Sequence, residues 1–131
     1  MSQNYKMLDN LSSSIKVNYI NGNKYAYCKE SNFIKQVLFM LYKKRFIINY
    51  SVIKPGIIKI TLKYKKNKPF IRNLTNLRKL NYNNLIHKNS YYRISKKYKY
   101  FFVSTPKGLF ISNDFKKEGL NGIVFFSIDL W

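Results

Sequence analysis

Three segments of the chain carry residue types that could do chemistry. Lys63-Tyr64-Lys65-Lys66 and Lys96-Lys97-Tyr98-Lys99-Tyr100 set ammonium groups beside aromatic rings. Ammonium groups bind phosphates with release of counterions, and rings stack on exposed bases. The third segment, Ser104-Thr105-Pro106-Lys107-Gly108, places two hydroxyls, a cation and a glycine between two apolar runs. Hydroxyls can bond ribose 2′-OH groups and base edges, and glycine lets a backbone come close to a ligand. Each segment also has a plainer reading, as core tyrosines above solvated lysines or as an ordinary hairpin turn. The whole-chain charge decides for the surface as a unit. Lys and Arg number 25 against 5 Asp and Glu, a net charge of +20. That exceeds what solubility needs and points to a polyanion.

The same inventory excludes other chemistry. The five carboxylates, Asp9, Glu30, Asp114, Glu118 and Asp129, are scattered along the chain. His87 and Cys28 are the only residues of their types. One Cys forms no internal disulfide, and one Cys with one His builds no typical zinc site. So few acid–base groups argue against an enzyme, and the expectation is no cofactor, no metal and no small-molecule substrate. His87, in a polar basic stretch, reads as a surface residue. Cys28, between Tyr27 and Lys29, reads as a small buried hydrophobe. No run of about 18 apolar residues is present, so no membrane-spanning helix is expected. The first residues resemble neither a signal segment nor a transit peptide.

Elements must position these groups. At 131 residues and 46% apolar content, the chain can build a core without staples. Met7, Leu8, Leu11 and Ile15 predict a helix over about 4–17. Asn21-Gly22-Asn23 is a turn, and 24–28 a strand. Ser31 can cap a second helix that carries Phe33, Ile34, Val37, Leu38 and Leu41 on one face. Residues 46–53 read as a strand and Pro55-Gly56 as a turn. Ile58, Ile60, Leu62 and Tyr64 alternate with Lys59, Thr61, Lys63 and Lys65, a half-buried strand with a cationic outer face. Beyond it, 70–71, 77–80 and 91–94 could be strand pieces, while 81–90 reads as a loop. Strands follow at 100–103 and 109–111. Ser112 is a candidate N-cap for a short helix to Glu118 ended by Gly119, and 123–128 is a closing strand. The expected fold is α+β in two small lobes. Residues 1–67 form a helix-strand-helix-strand-strand lobe, and 68–131 a mainly β lobe with one short helix.

Along its length the chain resembles a known family. Ser104-Thr105-Pro106-Lys107-Gly108, a strand, Asp114 to Glu118, Gly119-Leu120-Asn121-Gly122 and a last strand are similar to the C-terminal signature of small-ribosomal-subunit protein eight. Asp9-Asn10-Leu11-Ser12, Ser31, Phe46-Ile47 and Ile60-Thr61-Leu62-Lys63-Tyr64 match upstream pieces of that family in order. Pro106 departs from the pattern where the family has a second Ser, Ile123 where it has Glu, and Asn32 where it commonly has Lys. The family's Ser-x-Pro-Gly segment is not recognisable around 81–86. The resemblance implies a structural protein that binds the central domain of small-subunit rRNA, joins the particle early in assembly and lies beside other small-subunit proteins. It places Ser104, Thr105, Pro106, Lys107 and Gly108 at the RNA, with Ser31 and Lys16 as further candidates. Lys97 and Lys99 are added from charge alone. A free basic nucleic-acid-binding or regulatory protein of the same fold is the alternative.

Codon chemistry bears on origin. The chain has 21 Lys, 16 Asn and 15 Ile against 4 Arg and 1 Ala. No structural rule demands that skew, and the first three have A/T-rich codons. An organellar gene, mitochondrial before plastid, is the expectation, with an A+T-rich bacterium also open.

Overall fold

The computed structural model describes residues 2–76, 85–86, 99–112, 114–115 and 122–130. The chain divides into two units, one running through Arg72 and the other spanning Asn73–Leu130. Lys68 to Arg72, expected in the second lobe, group with the first.

In the first unit the order is α1 (Ser2–Ile20), β1 (Tyr25–Lys29), α2 (Asn32–Lys43), β2 (Asn49–Lys54) and β3 (Ile57–Thr61), then a small hairpin of β4 (Tyr64–Lys65) and β5 (Lys68–Pro69). The helix-strand-helix-strand-strand order is as expected. Helix α1 buries Leu8, Leu11, Ile15 and Tyr19, one stripe at spacings of three and four. Ser31 caps α2: its hydroxyl accepts the Ile34 N–H at 3.1 Å. Beneath lies an antiparallel sheet of order β1-β3-β2, whose Ala26, Ile58 and Ile60 are buried. The alternation read over 58–65 holds only to Thr61: Leu62 and Lys63 leave the strand, and Tyr64–Lys65 pair with Lys68–Pro69 instead. The 46–53 strand begins later, at Asn49, because Phe46 belongs to the end of α2.

Both helices end in the same hydrogen-bonded motif. After α1, Asn23 N–H bonds to Asn18 O and Gly22 N–H to Tyr19 O. After α2, Phe46 N–H bonds to Leu41 O and Arg45 N–H to Tyr42 O. Each pair is a Schellman closure, with one residue in left-handed conformation. Gly22 takes that place at φ 70° and Arg45 at φ 64°. Glycine accepts the conformation freely, whereas a side chain there costs about 1 kcal/mol.

The second unit is a sheet of order β6-β10-β8-β9, built from β6 (Ile71–Asn76, whose first two residues group with the first unit), β8 (Tyr100–Thr105), β9 (Gly108–Ile111) and β10 (Gly122–Leu130), with β7 (Leu85–Ile86) also pairing with β10. β7 lies inside the stretch read as a loop. β8 and β10 are central. Phe101, Phe102 and Val103 are all buried, as are Val124 to Ile128, so both faces of these strands are covered. A bulge between Val124 and Phe126 sets Phe125 and Phe126 both against Phe102, at 6.3 and 5.7 Å between ring centres. Ser112 is not an N-cap: it is itself helical and fully buried, and its hydroxyl donates to Lys99 O at 3.4 Å. The strand expected at 91–94 and Gly119 lie outside the described residues.

Replacing Arg45 by Gly relieves the left-handed strain at the end of α2. Arg45→Gly is expected to raise stability by about 1 kcal/mol in urea unfolding, with the slope unchanged.

Candidate nucleic-acid interface

β8 and β9 form a hairpin in which Thr105 pairs with Gly108, leaving Pro106 and Lys107 as the two-residue turn. Tight hairpins prefer turns with positive φ at the first central residue. Proline has φ fixed near −65° and cannot adopt it. The adjustment falls on Gly108, at φ 124°. A Cβ on Gly108 would meet nothing within 4 Å, so the backbone there faces open space.

Thr105 locks this turn. Its hydroxyl donates to Gly108 O at 2.9 Å and accepts the Lys107 N–H at 3.2 Å. With its single proton used, it can only accept from an outside group. Ser104 differs: no described residue takes its hydroxyl, which stays free to donate and to accept. Pro106, Lys107 and Gly108 are exposed, and Ser104 and Thr105 half-exposed. The loop thus offers one hydroxyl, one ammonium and an uncrowded backbone, held by a second hydroxyl.

The strands set what flanks Ser104. It is paired with Leu109 on β9 and with Ile123 on β10, so the three side chains form a row on one face. Ile123 is 38% exposed. Where a carboxylate would hydrogen-bond the hydroxyl and repel phosphate, this chain has a branched hydrocarbon. Ser104 therefore lies between two apolar side chains.

Gly122 supports the loop from behind, and sequence reasoning gave it no role of its own. A Cβ on Gly122 would lie 2.5 Å from Val103 Cγ1, 2.8 Å from Ser104 O and 2.9 Å from Thr105 Cγ2. No real Cβ tolerates such distances. The start of β10 thus rests directly on residues 103–105. The signal available in the sequence was a glycine placed immediately before a continuous apolar strand.

The remaining candidates lie on other elements. Lys99 is exposed but precedes β8, five residues from Ser104, or about 17 Å along an extended strand. Lys97 lies outside the described residues. Lys16 is exposed on α1, and the Ser31 hydroxyl is engaged in capping α2; both belong to the first unit. Within the second unit, residues 104–108 are held together by one hairpin.

The Lys63-Tyr64-Lys65-Lys66 segment separates into two roles. Tyr64 packs edge-on against Tyr19 at 5.3 Å, and its hydroxyl donates to Asn23 O. The Tyr19 hydroxyl donates to Lys63 O, and burial pushes its pKa up to about 12. Lys63 sits 4.1 Å over the Phe70 ring and donates to Arg45 O. These tyrosines follow the plainer, packed reading. Lys66 and Asn67 have φ of 52° and 65°, a type I′ turn that carries Lys65, Lys66 and Lys68 into solvent. Cys28 is half-buried, and burial raises its thiol pKa to about 11, far from a nucleophile's range. Among the described residues no group of three metal-ligating side chains is present, and no described helix is long and apolar enough to cross a membrane.

Comparison with known families gives a match over residues 6–128 to the family described as Ribosomal protein S8. The chain belongs to that family. A comparison with curated proteins finds no match. Membership makes this protein a small-subunit ribosomal protein with a role in rRNA binding, and the S8 family is a structural one, not a family of enzymes. Its partners are small-subunit rRNA and other ribosomal proteins.

Two outcomes check the geometry of the hairpin. Gly122→Ala is expected to cost about 1–3 kcal/mol in thermal unfolding, and to weaken RNA binding as well, because the new methyl displaces Ser104 and Thr105. Thr105→Ala is expected to lower both stability and RNA affinity by about 1 kcal/mol, and Thr105→Ser to restore both, since the hydroxyl alone closes the turn.

Proposed function

We propose that this protein holds the central domain of the small-subunit rRNA, gripping a helical segment with residues 104–108 and entering the particle early in assembly. The observation that carries the reading is the hairpin itself. Thr105 presets the turn, so Ser104 and Lys107 meet the RNA with little ordering cost. An A-form helix exposes 2′-hydroxyls and phosphates along its shallow groove. Ser104 can both donate to and accept from a 2′-hydroxyl. Lys107 reaches phosphate, and Gly108 leaves room for the sugar. Ile123 and Leu109 exclude water beside the Ser104 hydroxyl, which strengthens a hydrogen bond made there.

The proposed setting is an organellar ribosome, mitochondrial in the first instance. The A/T-type codon content supports this, and a plastid or an A+T-rich bacterium would leave the same mark.

Sedimentation of mitochondrial ribosomes in moderate salt tests the setting: the protein is expected in the small-subunit fraction, and recovery at the top of the gradient overturns it. Binding measurements test the contact. Ser104→Ala is expected to weaken binding to a central-domain rRNA helix about fivefold, the worth of one hydrogen bond of about 1 kcal/mol, and to leave binding to an unrelated duplex unchanged. Lys107→Ala is expected to weaken both, reducing the slope of log affinity against log salt by about 0.9. Equal losses from Ser104→Ala on the two RNAs would mean that residues 104–108 form only a turn.

A further inference from the structure

The three-stranded sheet of the first unit has a second face. Its inner face carries Ala26, Ile58 and Ile60 into the core. Strand alternation and register put Tyr25, Tyr27 and Lys29 of β1 on the opposite face, beside Lys59 of β3, with Ser51 and Lys54 on β2. Tyr27 is 48% exposed, and Lys29, Ser51 and Lys54 are exposed. Among the described residues no carboxylate occupies this face: Glu30, just beyond Lys29, is paired with Lys35 at 2.7 Å and accepts the Gly56 N–H.

Tyr25 is unlike the packed tyrosines. Lys59 Nζ lies 4.0 Å from its ring centre and Lys24 Nζ 5.5 Å. Two ammonium groups thus gather at one ring. Tyr27 stands two residues along the same strand, about 7 Å away, close to the step between successive bases of an extended nucleotide chain.

We infer that this sheet face is a stacking platform for single-stranded RNA. Charge selects the class of partner: lysines without acids favour a polyanion. The rings select the strand state. A duplex hides its base faces, so exposed rings gain nothing from it, whereas an unpaired base can lie flat on Tyr27 and its neighbour can reach Tyr25. The phosphates between them fall beside Lys59, Lys29 and Lys54, and the Ser51 hydroxyl is placed for a 2′-OH. The platform rests on the rRNA-binding reading for its biological partner, and it adds to the hairpin's helical contact a contact with an unpaired stretch.

The full-length protein tests this with two fluorescent probes at fixed salt, a uridine decamer and a central-domain rRNA helix. Tyr27→Leu and the Tyr25→Leu/Tyr27→Leu pair are expected to weaken decamer binding at least fivefold per ring lost, with helix binding held within twofold. Tyr27→Phe is expected to bind like the parent, since the ring and not the hydroxyl does the stacking. Should the double variant unfold, photocrosslinking of the unaltered protein to a 4-thiouridine decamer is expected to mark the peptide containing Tyr25 and Tyr27. Unchanged decamer affinity in folded variants, equal loss on both probes, or crosslinks confined to other peptides would overturn the inference. So would variants that leave the small subunit while still binding the decamer, since the face would then be a protein contact. If instead the protein failed to sediment with small subunits while the decamer losses held, the ribosomal setting would fall and the platform would stand.

Discussion

Self-repulsion is the constraint under which this molecule folds. With 25 basic and 5 acidic side chains, ion pairs can neutralise only a small part of the charge. The structure satisfies cations by other means. Lys59 lies over Tyr25, Lys63 over Phe70 and Lys43 over Phe39. Lys63 also donates to a backbone carbonyl, Arg45 O. Ring faces and carbonyl oxygens carry partial negative charge, and they stand here where carboxylates stand in ordinary proteins. The 18% aromatic content therefore serves the surface as well as the core. A carboxylate would have held its lysine more tightly, and would also have repelled RNA. A ring lowers the cation's energy and leaves its charge available to a phosphate.

This substitution gives tyrosines beside lysines more than one role. In sequence, Tyr25, Tyr64 and Tyr98 look alike, each beside lysines. Tyr64 points its hydroxyl to Asn23 O and its edge to Tyr19, so it is used up in packing. Tyr25 and Tyr27 lie on a sheet face turned away from both helices. What separates the two cases is the pairing of β1 with β3, a contact between residues 28 to 36 positions apart. Local composition does not encode it.

Other parts were legible for physical reasons. Alternation along Ile58-Lys59-Ile60-Thr61 is a local pattern with one solution, a strand with one dry face. Ser31 announced α2 because an N-cap is a one-residue chemical requirement. Gly22 marked the turn after α1, although not the helix's full length to Ile20. The end of α2 was hidden, since the identical closure is made with Arg45 in the left-handed position, and no propensity rule places an arginine there. β7 was hidden too, because a two-residue strand has no periodicity to detect. At the hairpin, residues 104–108 were found from their types. The difference between Ser104 and Thr105 came only from geometry, with one hydroxyl closing the turn and its neighbour left open.

Gly122 sets how closely the two central strands of the second unit approach. A side chain there would meet backbone oxygen and two side-chain carbons inside 3 Å. The requirement is steric and comes from the tertiary approach of β10 to β8, so it has no local signature beyond the residue itself. It also locates where precision is needed. The hairpin tip has room to vary, because it faces open space. The seam beneath it cannot, because Ser104 is positioned through its own backbone pressing on Gly122. A protein whose affinity comes largely from non-directional charge gains discrimination only from groups held still. In this sheet the stillness comes from close backbone packing at Gly122 and from one threonine hydroxyl, and the long, mobile lysines supply attraction around them.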